Sequence, residues 1–145
     1  MTNDENLGLE NQLSFIMYAC SKEMIKHYKP YLKEIGLTYT QYIAMRVLWS
    51  GDNITVNELS KRLYLDSGTT TPLLKKLEIK GLLERIRDVS DERNVFIKLT
   101  KEGHELKANM ENTSQKVLDN TGVPMSEVDD ILKSLKSVLD RVNNN

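Results

Sequence analysis

Leu65-Asp66-Ser67-Gly68-Thr69-Thr70-Thr71-Pro72-Leu73-Leu74-Lys75-Lys76-Leu77-Glu78 runs on to Gly81, and two strand-like pieces with Asp91-Glu92-Arg93 between them follow at once. The stretch opens on an outward-facing, hydroxyl-rich helix start. An inward leucine stripe of Leu73, Leu74, Leu77 and Ile79 or Leu82 backs it. Asp66 or Ser67 is placed to cap the helix, Pro72 falls near its start, and Gly81 closes it. Leu83 to Arg87 and Asn94 to Leu99 alternate as strands, with Val95, Ile97 and Leu99 on one face and Asp88 to Arg93 as the loop. A helix followed directly by a charged hairpin is the order of a winged helix-turn-helix. In that motif the helix enters the major groove and the hairpin reaches the adjacent minor groove.

The flanking chain supports this reading. Ile54-Thr55-Val56-Asn57-Glu58-Leu59 reads as a short capped helix ending near Tyr64. Before it, Leu37-Thr38-Tyr39-Thr40-Gln41-Tyr42 forms a capping box with a hydrophobic staple, opening a helix that carries Ile43, Val47, Leu48 and Trp49 and stops at Ser50-Gly51. An N-terminal helix from about Leu9 to Lys33 carries Leu13, Ile16, Met17, Cys20, Met24 and Tyr28, with Pro30 kinking or ending it and Gly36 marking a break. After the hairpin, Thr100 caps a long helix to about Asp119. Ser126 with Asp129 then opens a last helix with a continuous stripe from Val128 through Leu135 and Leu139 to Val142, and Asn143 to Asn145 forms a frayed tail. The expected architecture is mainly α with a small β-wing, a single domain over 1–145. Its winged core spans about 38–99, and the flanking helices over 9–35 and 100–142 are available for dimerisation.

Composition narrows the function. A chain of 145 residues with 39% hydrophobic and 28% charged residues is ordinary for one globular domain. Net charge is −1, yet Thr55 to Lys101 holds ten cationic and seven acidic residues, a modestly basic middle between acidic ends. Met1 to Gln12 is acidic and polar, unlike a signal peptide, and the longest apolar run, Phe15 to Cys20, is far too short for a bilayer. One cysteine permits no internal disulfide, which agrees with the expected cytoplasmic location.

Ser67, Thr69, Thr70 and Thr71 are short hydrogen-bonding side chains suited to phosphate oxygens and base edges. Capping explains one of them, not four in a row. Lys75 and Lys76 are phosphate candidates or merely solvated charges. Arg93 suits a narrow, electronegative minor groove, with Asp91 holding its geometry; the plainer alternative is a local salt bridge. His27, His104 and Cys20 lack the spacing of a metal site. No phosphate loop, dinucleotide fingerprint or nucleophile elbow is present, so neither an enzyme nor a cofactor is expected.

The stretch from Leu65 to Glu78, Asp91-Glu92-Arg93 and Leu99-Thr100-Lys101-Glu102-Gly103 resemble the MarR family of dimeric winged-helix regulators. The resemblance covers essentially the whole chain. Glu10-Asn11-Gln12-Leu13-Ser14-Phe15, Tyr18 and Tyr28-Lys29-Pro30 are similar to the OhrR and SarZ-like branch, which senses organic hydroperoxides. The resemblance implies a homodimer on double-stranded palindromic DNA, repressing oxidative-stress genes until a thiol is oxidised. It also implies a sensor pocket at Ser14, Tyr18, Tyr28 and Tyr39. Ser14 stands where the branch has its reactive cysteine, and a hydroxyl cannot follow the thiol oxidation ladder. Either sensing is lost at that position or the serine is an introduced substitution. Cys20, about 120° away round a helix, is not the same thiol displaced and is expected as a small buried hydrophobe. The alternative is a repressor answering a small phenolic or apolar ligand without redox sensing.

Overall fold

The computed structural model describes residues 8–144, so most of the acidic opening and the last residue of the tail, Asn145, lie outside it. After a single 3-10 turn at Leu9–Asn11 come α1 (Leu13–Ile35), α2 (Tyr39–Ser50), β1 (Ile54–Thr55), α3 (Val56–Arg62) and α4 (Ser67–Ile79). Next are β2 (Leu83–Arg87), β3 (Val95–Leu99), α5 (Lys101–Asn109), α6 (Thr113–Thr121) and α7 (Met125–Asn143). The described residues divide into two compact units, one of Tyr28–Glu111 and one of residues 8–27 with 112–144.

The unit of Tyr28–Glu111 is a winged helix. Its core joins Leu32 and Leu37 to Tyr42, Met45 and Leu48 of α2, Leu59 of α3, Leu73, Leu74 and Leu77 of α4, Leu83, Ile97 and Leu99 of the sheet, and Met110. The core therefore extends beyond the 38–99 boundaries of the sequence reading. The sheet is antiparallel in the order β1-β3-β2, with Leu83 opposite Leu99, Arg85 opposite Ile97 and Arg87 opposite Val95. Both β2 and β3 coincide with the expected strands to within a residue. The two-residue β1, with Ile54 opposite Ile97, is an addition.

Local chemistry accounts for most boundaries. Thr38 and Gln41 close the full capping box of α2, worth about 1 kcal/mol, and Leu37 and Tyr42 are both buried as the staple requires. Thr55 caps α3 by accepting from the Glu58 N–H. Asp66, not Ser67, caps α4, accepting from the Thr69 N–H at 2.7 Å. The end of α4 is a Schellman turn: Gly81 takes φ +77°, its N–H reaches the Glu78 carbonyl and the Leu82 N–H reaches that of Leu77. Leu82 then joins the core edge, whereas Ile79 is 85% exposed.

Five expectations need correction. Pro30 does not end α1, which runs five residues past it and two beyond the expected Lys33. Leu32 is buried, and a Schellman turn at Gly36 places the stop. Pro72 is the sixth residue of α4, beyond the first turn, so the Gly68 carbonyl lacks its usual donor. The long helix from Thr100 is two: Met110 is buried at the end of α5, and Asn112 turns the chain at φ +63° before α6. No glycine or proline stands between Gly103 and Gly122, so nothing local announces that break. The last helix begins at Met125 behind Pro124, with no side-chain cap from Ser126. Cys20 is exposed rather than buried.

The other unit contributes the start of α1, α6 and α7. No residue of α7 is buried: Ile131, Leu132, Leu135 and Leu139 are each 41–45% exposed and Val142 69%. Among the described residues, no helix is long and apolar enough to cross a membrane.

Candidate nucleic-acid interface

Between α4 and the hairpin lies a cleft of about 530 Å³. Ser67, Thr71 and Lys75 line it from α4; Arg85, Arg87, Arg93, Asn94 and Val95 line it from the hairpin; Thr55, Val56 and Asn57 complete its floor. Four of these side chains are cationic and none is a carboxylate. Such a concave surface concentrates positive potential and suits a polyanion.

Helical spacing explains the α4 wall, because Ser67, Thr71 and Lys75 are one turn apart and share a face. Of the hydroxyls expected to contact DNA, Ser67 and Thr71 are in the cleft and Thr69 is exposed beside it. Thr70 departs from the expectation. It is 0% exposed, and its hydroxyl donates to the Asp66 carbonyl at 2.9 Å, so it belongs to the core. Lys76 is exposed but does not line the cleft.

The hairpin wall depends on strand alternation. From Leu83, every second residue points to the same side, which puts Arg85 and Arg87 on the face towards α4. Both arginines went unselected in the sequence, although the alternation of Leu83 with Arg85 and Arg87 carries the signal. Arg85 is held by Glu78, whose carboxylate accepts from the Arg85 backbone N–H at 3.0 Å and from its guanidinium at 3.1 Å. The guanidinium bond foremost, then the backbone bond, lowers the Glu78 pKa below the usual glutamate value. Arg87 donates to the Glu92 carbonyl at 2.6 Å.

The loop itself is tied down. Asp88 accepts from the Ser90 N–H and hydroxyl, and the Asn94 N–H donates to the Asp91 carbonyl. Arg93 donates through Nε and Nη2 to the two carboxylate oxygens of Asp91, both at 3.0 Å, while its side chain stays 89% exposed. That pairing lowers the Asp91 pKa and raises that of Arg93. Arg93 is thus a fully charged side chain, held by one face and open on the other.

The expected sensor residues fall in both units. Ser14 and Tyr18 are exposed on α1; Ser14 borders an apolar groove of about 360 Å³ with Leu13, Met17, Val138, Leu139 and Val142. Tyr28 and Tyr39 pack edge to face in the winged unit, ring centroids 5.1 Å apart, beside Tyr42. Burial, then the neighbouring Tyr28 and Tyr42, raises the Tyr39 pKa. Its phenol stays protonated and can donate a hydrogen bond.

A profile described as "Transcriptional regulator SarA/Rot" matches residues 26–110, more than half of the chain. The chain belongs to the SarA/Rot transcriptional regulators. The organic hydroperoxide resistance transcriptional regulator of Bacillus subtilis is 44% identical to it over 135 residues, covering 93% of this chain and 89% of the relative. The regulator SarZ of Staphylococcus haemolyticus is 43% identical over 131 residues, covering 90% and 89%. Among solved structures, reduced AbfR bound to DNA has 34% identity and a TM-score of 0.76, covering 92% of this chain and 93% of that one. The regulator is therefore a winged-helix protein of the MarR type, in the branch of the organic hydroperoxide and SarZ regulators, and not an enzyme.

Proposed function

We propose that this regulator reads double-stranded palindromic DNA as a homodimer. The start of α4 enters the major groove, with Ser67, Thr69 and Thr71 at base edges and phosphates, and Arg93 enters the adjacent minor groove. The observation that carries the reading is the cleft of four cationic side chains and no carboxylate between α4 and the hairpin. The uncovered stripe of α7 supports the dimer, because an apolar face of that length calls for a partner. Two-fold symmetry then makes the site palindromic. The regulator acts in the cytoplasm as a repressor of oxidative-stress genes; the name of its relative, an organic hydroperoxide resistance transcriptional regulator, supports the link to oxidative stress.

The experiment is DNA binding by fluorescence anisotropy on palindromes selected from a random library, across a salt series. Affinity falls steeply with salt as phosphate contacts release counterions. Arg93→Ala weakens operator binding without changing the melting curve, and it flattens the slope of log K against log salt by about 0.9 if the lost cation neutralised a phosphate. An Arg93→Ala protein with unchanged affinity removes the hairpin from recognition.

The branch that this chain resembles switches by thiol oxidation, and by that resemblance Ser14 stands where the sensing thiol would be. A serine there favours the second reading: a small apolar or phenolic effector, seated against the groove that Ser14 borders, releases the DNA. Peroxide treatment of the DNA complex separates the two, because only a thiol-based switch responds to it.

A further inference from the structure

We propose that Glu78 and Arg85 form a clamp that sets the spacing between the two DNA-reading elements, which makes Glu78 a positioning residue for operator recognition. The inference rests on the DNA-reading role proposed above. Glu78 is a carboxylate next to the cationic cleft but does not line it, and its charge repels phosphate, so its presence calls for another reason. Thr71, Lys75 and Glu78 occupy one face of α4 at successive turns, and Glu78 is the last before the Schellman turn at Gly81. Its two carboxylate oxygens divide the work: one accepts from the main chain of β2 at Arg85, the other from the Arg85 side chain.

Arg85 spends part of its donor set on the clamp. One Nη2 N–H is committed to Glu78, and its Nε is buried with no hydrogen-bond partner although the side chain lines the cleft. A direct phosphate contact would use the remaining N–H groups of Nη1 and Nη2. The two side chains are 25% and 36% exposed, shielded enough for the pair to hold its geometry. From Arg85 the strand leads to Arg87, which grips the Glu92 carbonyl, and so to the loop that presents Arg93. One bonded path therefore runs from the recognition helix to the hairpin tip. Removing its first bond frees the hairpin to move relative to α4.

The test exploits a conflict of sign. Removing a negative charge beside a cationic cleft tightens DNA binding wherever charge alone decides. Loss of the clamp weakens only binding that needs both elements in register. Affinities of the full chain, Glu78→Gln and Arg85→Lys are measured on the selected palindrome and on a scrambled duplex, with melting curves for all three. The expected result is about a tenfold loss on the palindrome for both variants, the scale of one shielded charge-assisted hydrogen bond. Scrambled DNA should be bound more tightly by Glu78→Gln, and Arg85→Lys, which keeps its charge but lacks the guanidinium fork, should lose far more on the palindrome than on the scrambled duplex. Equal tightening on both duplexes reduces Glu78 to a simple charge and overturns the clamp. Equal weakening on both overturns it too, by making the pair a general structural contact. If the unaltered chain prefers no selected palindrome, the DNA-reading role fails and the clamp with it.

Discussion

Thr70 sits among three other hydroxyl-bearing residues at the start of α4, and replacing it with valine separates a core role from a DNA-contacting one. The side chain has no accessible surface, and its hydroxyl bonds the carbonyl of Asp66, which also accepts the backbone N–H of Thr70 at 3.0 Å. Valine preserves the shape and leaves that carbonyl satisfied, so only the side-chain bond is lost, a cost of about 0–1 kcal/mol. Alanine also removes a buried methyl, adding about 1 kcal/mol. Thr70→Ala should therefore lose about 1–2 kcal/mol and melt about 2–8 °C lower. The assay pairs thermal unfolding by circular dichroism with operator affinity by anisotropy. Thr70→Val should bind operator like the unaltered chain, while Thr71→Ala and Ser67→Ala, in the cleft, should bind less tightly with unchanged melting. A Thr70→Val protein of native stability that loses more than about threefold in affinity would place this hydroxyl on DNA and refute the assignment.

The other predictions concern the frame and the effector. A Cβ at Gly103 would lie 2.0 Å from the Leu82 carbonyl oxygen, on a residue whose own carbonyl accepts the Trp49 indole N–H at 2.8 Å. Gly103→Ala should then cost about 3 kcal/mol and shift the emission of the single tryptophan, an expectation that a native-like melt would defeat. Leu135→Asp puts a carboxylate in the α7 stripe. Light scattering should find a monomer or unfolded chain that no longer binds operator, and an intact dimer would remove α7 from the interface. Cumene hydroperoxide should leave the operator complex of the unaltered chain intact but dissociate that of Ser14→Cys; dissociation of the unaltered chain that Cys20→Ser abolishes would make Cys20 the sensor.

The sequence alone determined what depends on neighbours in the chain. The caps at Thr38, Thr55 and Thr100, the glycine turns at Gly36 and Gly81, and the strands Leu83–Arg87 and Val95–Leu99 are local hydrogen bonding and period, legible in four to eight residues. Arg93 and its carboxylate partner Asp91 were legible for the same reason, being two residues apart. Tertiary structure alone decided what depends on distant contacts. It carried α1 on to Ile35, where Leu32 is buried in the core and Gly36 makes the turn, and it broke the helix after Met110, because that side chain anchors in the core. It took Thr70 from the hydroxyl row into the interior, since a helix face turns about 100° per residue and only packing says which face is inside. And it brought Arg85 and Arg87 from β2 to the wall opposite Lys75, a juxtaposition set by how a strand folds back on a helix rather than by spacing along the chain.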